Sequence, residues 1–186
     1  TLLKRELKYT VGSAYLLMRA IDEIEDHETL ATDVKDELLR ETANLLREDG
    51  EFSAEKYTEL IAPYKDQLPE VTVRLPDWIL VCPTGILPKV RESTAEMADG
   101  MAKWAVKNWV IETKEDLDDY TYYVAGLVGV MLSDIWKWYD GTETDYNLAI
   151  GFGRGLQAVN ILRNQDEDFV ERGVRFIPDD WTRDDI

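Results

Sequence analysis

The sequence predicts an all-α, single-domain helical bundle with a central cavity. Three observations carry that prediction. Apolar residues recur at three- and four-residue spacing, no segment alternates cleanly between apolar and polar, and helix start and stop residues punctuate the periodic stretches. A chain of 186 residues is long enough for one domain with a substantial core.

The elements follow in order. A helix is expected over about 2–28, with Leu17, Ile21 and Ile24 at helical spacing. Thr32 is placed to cap a helix over about 33–48, with Asp33 in its first turn and Gly50 as its stop. Ser53 caps a short helix running to about Ala62, before Pro63. Pro69, Pro76, Pro83 and Pro88 break residues 69–88 into short helices and turns. A long helix fits about 89–111. Thr113-Lys-Glu-Asp116 has the form of a capping box and opens a helix over about 115–139, which Asp140-Gly141 breaks. Thr142-Glu-Thr-Asp145 opens another over about 144–170, and Glu171 to Pro178 reads as a loop.

Charge narrows the partners. There are 21 Lys and Arg against 38 Asp and Glu, a net charge of −17. A nucleic-acid surface wants clustered cations, so that partner is not expected. An anionic substrate is repelled unless metal ions intervene. The one cysteine, Cys82, excludes an internal disulfide framework and fits a reducing, cytoplasmic setting. The longest apolar or small run, Val124 to Leu132, is short of the about 18–20 residues that a membrane span needs. The chain opens without an initiator Met or a signal-peptide pattern and stops in Trp181-Thr-Arg-Asp-Asp-Ile186. It reads as lacking segments at both ends.

Two helical stripes hold the candidate chemistry. Tyr15, Arg19, Asp22 and Asp26 are spaced 4, 3, 4 and share one face of the first helix, beside the apolar stripe of Leu17, Ile21 and Ile24. Asp22 and Asp26 lie one turn apart with Glu25 close by. Hard cations such as Mg²⁺ take carboxylate, water and phosphate oxygens, so this wall suits one. A solvated acidic face would give the same spacing. Gln157, Asn160, Asn164 and Asp168 form a second polar stripe, spaced 3, 4, 4, with Leu156, Val159 and Leu162 as its apolar side. The two stripes read as two walls of one cavity, or as two solvated faces. Between them, Ala125, Gly126 and Gly129 make room for a ligand, bend a helix, or let helices pack closely.

The segments Tyr15 to Asp26, Tyr120 to Gly129, Leu156 to Asp168 and Arg172 to Pro178 together resemble the squalene/phytoene synthases, in both order and spacing. The resemblance implies an isoprenoid-synthase bundle whose two acidic helices face each other and bind the diphosphate of farnesyl diphosphate through Mg²⁺. It implies Asp22, Asp26 and Asp168 as metal ligands, with Gln157 and Asn160 lining the site. Arg19 and Arg163 would neighbour the diphosphate, and Tyr15 and Tyr120 the reacting carbons. The family's N-terminal Ser-Arg segment and its last helices are not in this chain.

One position departs from the family pattern. Its second acidic motif begins with Asp, and here that place is Asn164. A unit charge at about 4 Å is worth roughly 4 kcal/mol at an effective dielectric near 20. Condensation needs two substrates in register, whereas quenching by water needs one. The residues therefore favour Mg²⁺-dependent hydrolysis of farnesyl diphosphate to farnesol. The alternative is head-to-head condensation of two such molecules to a C30 product, and the third reading is a non-catalytic helical binding protein.

Other features are expected to be structural. Gly151-Phe-Gly-Arg-Gly155 is not a dinucleotide fingerprint, since no strand precedes it. His27 is assigned to the surface. Trp104, Trp109, Trp136 and Trp138 are assigned to packing, with room for one in a prenyl pocket. The run Glu115 to Asp119 is assigned to helix capping.

Overall fold

The computed structural model describes residues 4–172, 176–178 and 181, with side chains except those of 166–168, 171 and 172. The described residues are helical throughout, with no strand among them. The helices are α1 (Arg5–Glu25), α2 (Thr32–Arg47), α3 (Ala54–Ile61), α4 (Glu70–Val73), α5 (Leu75–Val81), α6 (Leu87–Val106), α7 (Lys114–Thr121), α8 (Leu127–Asp140) and α9 (Tyr146–Arg172). A 3₁₀ turn follows α3 at Ala62–Tyr64, and a π-helical turn at Tyr122–Gly126 joins α7 to α8. No helix among the described residues is long and apolar enough to cross a membrane.

Local chemistry explains most of the boundaries. Ser53 accepts from the Lys56 amide, and Thr113 and Asp116 complete the expected capping box. Asp145 caps α9, its carboxylate accepting from Asn147 and Leu148. Gly50 (φ 87°) and Gly141 (φ 79°) take the left-handed conformation that glycine tolerates at a helix end. Thr32 differs from expectation: it is the first helical residue, and Ala31 holds the cap position without a side-chain acceptor. The C-terminus of α2 is stopped by a side chain from α6. The Arg91 guanidinium donates to the carbonyls of Leu46 at 2.6 Å, Glu48 at 2.7 Å and Gly50 at 2.8 Å. The Leu46 carbonyl is among those that a helix end leaves without partners, and those of Glu48 and Gly50 lie at and just past the cap.

Two of the expected long helices are shorter or interrupted. The helix over 89–111 ends at Val106, where Asn108 (φ 52°) and Trp109 (φ 53°) turn the chain in left-handed conformations rare outside glycine. The helix over 115–139 contains the π turn.

Among the described residues, packing forms two apolar cores. The larger gathers Leu17, Ile21 and Ile24 of α1, Leu38, Leu39 and Leu46 of α2, Met97 and Met101 of α6, and Leu127, Met131 and Ile135 of α8. Thr72 of α4 locks onto α1 by donating to the Ala20 carbonyl at 3.0 Å, and buried Tyr57 donates to the Thr72 carbonyl at 2.8 Å. The smaller core collects Trp104, Ile111, Leu117, Tyr120, Ile161, Phe176 and Ile177. Phe176 and Ile177, expected in a loop, are thus buried.

The glycines between the stripes serve close packing. A Cβ on Gly129 would lie 2.4 Å from the Ala149 carbonyl oxygen of α9, and one on Gly153 would lie 2.4 Å from that of Ala125. Close approach of helices is what Gly129 serves, while Ala125 and Gly126 lie in the π turn that interrupts the helix.

Candidate metal wall and apolar cleft

The first sequence stripe folds into one site. The C-terminal turns of α1 bring carboxylate oxygens of Asp22, Glu25 and Asp26 within 4.8 Å of one another. Asp26 is exposed, Asp22 half-buried and Glu25 only 2% exposed. Each is held differently. Arg19 donates to Asp22 and Glu23 from the preceding turn. Glu25 points off α1 and accepts from the Trp109 indole N–H, while its backbone carbonyl accepts from Lys35 at 2.7 Å. Burial, and then the neighbouring Asp26 charge, push the Asp22 carboxyl up to about 6 against the opposing pull of Arg19. A divalent cation takes carboxylate oxygens and would remove the repulsion between Asp22 and Asp26, so the turn fits one.

Beside this wall opens an apolar cleft of about 420 Å³. Tyr15, Arg19 and Asp22 stand at its polar side. Val11, Met18, Met97, Val124, Val128, Met131 and Leu132 supply the rest. The volume lies within the about 300–1,000 Å³ typical of small-molecule sites. Tyr15 is 63% exposed beside it. The π turn and α8 contribute Val124, Val128, Met131 and Leu132, so the interrupted helix builds the wall opposite α1.

The second stripe is placed less as expected. Leu156, Val159 and Leu162, expected to be buried, are 53%, 59% and 42% exposed, and α9 buries Ile161 instead. The reason is which face of α9 meets α7, the π turn and α8: Gly153 and Ile161 turn inward. Gln157 and Asn164 are half-buried, Asn160 and Arg163 exposed, and none of the four lines the apolar cleft. The side chain of Asp168 lies outside the described residues. Arg154, which no motif singled out, ties α9 to α7 through Asp118.

Tyr120, expected beside the reacting carbons, is buried in the smaller core. It stacks on Phe176 at 5.0 Å and meets Trp104 edge-on at 5.6 Å. It shares the inward stripe of α7 with Leu117, which takes it away from the cleft. Trp104 packs fully buried. Asp116 caps α7, whereas Asp118 and Asp119 pair with Arg154 and Lys103. His27 bridges chain segments, with Nε2 at 3.0 Å from the Gln67 carbonyl and Nδ1 accepting from the amides of Thr29 and Leu30. Trp109, assigned to packing, does pack against the smaller core, and it also donates to Glu25, 84 positions away, a contact that no local sequence pattern signals.

The helix order, the acidic turn of α1 and the cleft beside it define an all-α isoprenoid-synthase fold. The chain belongs to the squalene/phytoene synthase family, whose model matches residues 1–186. A probable squalene synthase from Neurospora crassa is 32% identical over 95% of this chain and 37% of its own length. Squalene synthase 10 from Panax ginseng is 33% identical over 89% of this chain and 39% of its own length. The solved structure of TcSQS with the ligand BPH1237 superimposes with a TM-score of 0.69 at 25% identity, covering 93% of this chain and 50% of that one. The chain therefore spans about two-fifths of the length of these curated relatives. Relatives named squalene synthase back head-to-head condensation over the hydrolysis to farnesol that the Asn164 argument favoured.

Proposed function

We propose that this chain forms the prenyl-binding part of an enzyme that condenses two farnesyl diphosphates head to head, with Mg²⁺ as the metal. The observation that carries the proposal is the union of an apolar cleft with the Asp22–Glu25–Asp26 wall at its polar edge. The relatives' names favour condensation among the reactions such a site supports.

Each residue has a part that follows from its place. Asp22 and Asp26, with Glu25 between them, hold the cation. Bound there, a divalent ion supplies Lewis-acid charge to the departing diphosphate. Arg19, beside Asp22 at the mouth, offers a guanidinium to the same anion. The cleft takes the prenyl chain, whose burial contributes about 0.8 kcal/mol per CH₂. Tyr15 presents an aromatic ring beside the developing allylic cation.

The lining also bears on the outcome. Away from Tyr15, Arg19 and Asp22 it is Val, Met and Leu, which gives water no polar anchor. Asn164, whose missing charge argued for hydrolysis, is not part of that lining. The proposal also assigns Asp168 to the metal and Arg163, exposed on α9, to the diphosphate.

The test is product identification after incubating the protein with farnesyl diphosphate and Mg²⁺. Presqualene diphosphate, dehydrosqualene or squalene is the expected product. Farnesol alone, or metal-dependent binding without turnover, would falsify the condensation reading.

A further inference from the structure

The acidic turn of α1 is braced from outside its own helix, and the brace centres on an indole. Resting on the metal-wall reading above, we propose that Trp109 is a positioning residue for that wall. Its N–H sets the Glu25 carboxylate in the orientation in which Asp22, Glu25 and Asp26 converge.

Glu25 is the least exposed of the three acids, yet it has an oxygen in the group that converges. A buried carboxylate needs donors, and its orientation is the orientation of those donors. The Trp109 indole donates to Oε1. An indole N–H is donor only, so the contact persists only while Glu25 accepts. Lys35 of α2 adds a second hold by donating to the Glu25 carbonyl at 2.7 Å, with its ammonium 5.3 Å from the centre of the Trp109 ring. The wall is thus gripped from α2 and from the turn after α6 together.

The backbone beneath Trp109 points the same way. Asn108 and Trp109 are consecutive non-glycine residues at φ 52° and 53°. The Trp109 amide reaches back five residues to the Trp104 carbonyl at 3.0 Å, and Trp104 is fully buried. Left-handed conformations of this kind persist where the surroundings over-determine them, and they cluster at functional sites. Here the turn aims one side chain across to α1. Mg²⁺ demands near-ideal octahedral geometry, so the angle of a ligand oxygen matters to affinity. Outer partners that orient metal-binding groups typically govern about 10–100-fold in affinity.

Affinity for Mn²⁺ in the presence of inorganic diphosphate, read by electron paramagnetic resonance, tests the proposal. The set is wild type, Trp109→Phe, Glu25→Gln and the double variant, with thermal midpoints beside each. Trp109→Phe keeps an aromatic ring and removes the donor together with some packing volume, which the thermal midpoints register. It should weaken Mn²⁺ binding about 10–100-fold, and should weaken it no further in the Glu25→Gln background. Unchanged affinity for Trp109→Phe, or effects that add across the pair to within about twofold, overturn the proposal. Wild-type protein that binds no Mn²⁺ overturns the metal-wall reading itself, whereas wild-type binding with an unaffected Phe variant overturns this inference alone. Should Trp109→Phe fail to fold, ¹⁵N-indole spectra of the wild-type protein decide. The indole resonance displaced by Glu25→Gln should shift during Mg²⁺ titration with the midpoint of metal binding, and a stationary resonance overturns the proposal.

Discussion

Asp22 sits where burial, a like charge and an opposite charge contend, and the sum leaves its carboxyl raised from 3.8 to about 6. The sign of the consequence follows from linkage. Between those two values the folded protein keeps a proton that the unfolded chain has released. The contribution of this group to stability is therefore present at low pH and lost as pH rises through about 6. A divalent cation reverses the trend, because it binds the ionised form. The thermal midpoint gained on adding Mg²⁺ should thus be larger at about pH 7.5 than at about pH 5. Asp22→Asn should abolish that gain while leaving the metal-free midpoint at pH 7.5 equal to or above wild type. Its turnover should fall on the order of 10²–10³-fold, the scale of losing one preorganised charge-stabilising group. Thermal melts and product assays check the two halves separately. A pH-independent Mg²⁺ gain would show that Asp22 does not bind the ion.

Helix-level packing separates two glycines that look alike in sequence. Gly129 faces the Ala149 carbonyl so closely that a Cβ would stand 2.4 Å from it, while a Cβ on Gly151 would meet nothing within 4 Å. Alanine is the better helix former by about 1 kcal/mol. Gly151→Ala should therefore be neutral or stabilising by up to about 1 kcal/mol, and Gly129→Ala destabilising by about 1–3 kcal/mol as α8 and α9 are forced apart. Denaturant unfolding of the two variants measures the contrast. Element positions were legible in the sequence wherever punctuation was local, as at Ser53, Thr113 with Asp116, and Gly141. The acidic wall was legible because a carboxylate spacing and a buried stripe shared one helix. The interior of α9 was not, since the spacing of Leu156, Val159 and Leu162 identifies a face without identifying what that face meets. Trp109 was hidden by sequence distance: no local pattern links it to Glu25.

Across the molecule, the smaller core joins parts of the chain that lie far apart. Ile161 of α9, Tyr120 of α7, Trp104 of α6 and Phe176 meet there, and Trp109 packs against them while reaching Glu25. Ile161→Ala should cost about 2–5 kcal/mol, as large-to-small changes in cores do. Leu156→Gln, on the outward face of the same helix, should stay within about 0.5 kcal/mol. Equal effects in chemical denaturation would mean that α9 turns a different face inward. The π turn at Tyr122–Gly126 has a consequence of the same reach. A π turn holds one residue more than the α register allows, and one residue is about 100° of rotation along a helix. Deleting a single residue between Tyr122 and Gly126 to restore that register would swing all of α8 about its axis. Val128, Met131 and Leu132 would leave the cleft, and Gly129 would lose its seat on Ala149. The apolar cleft and the α8–α9 contact are thus two outcomes of one inserted residue, and neither can be shifted without the other.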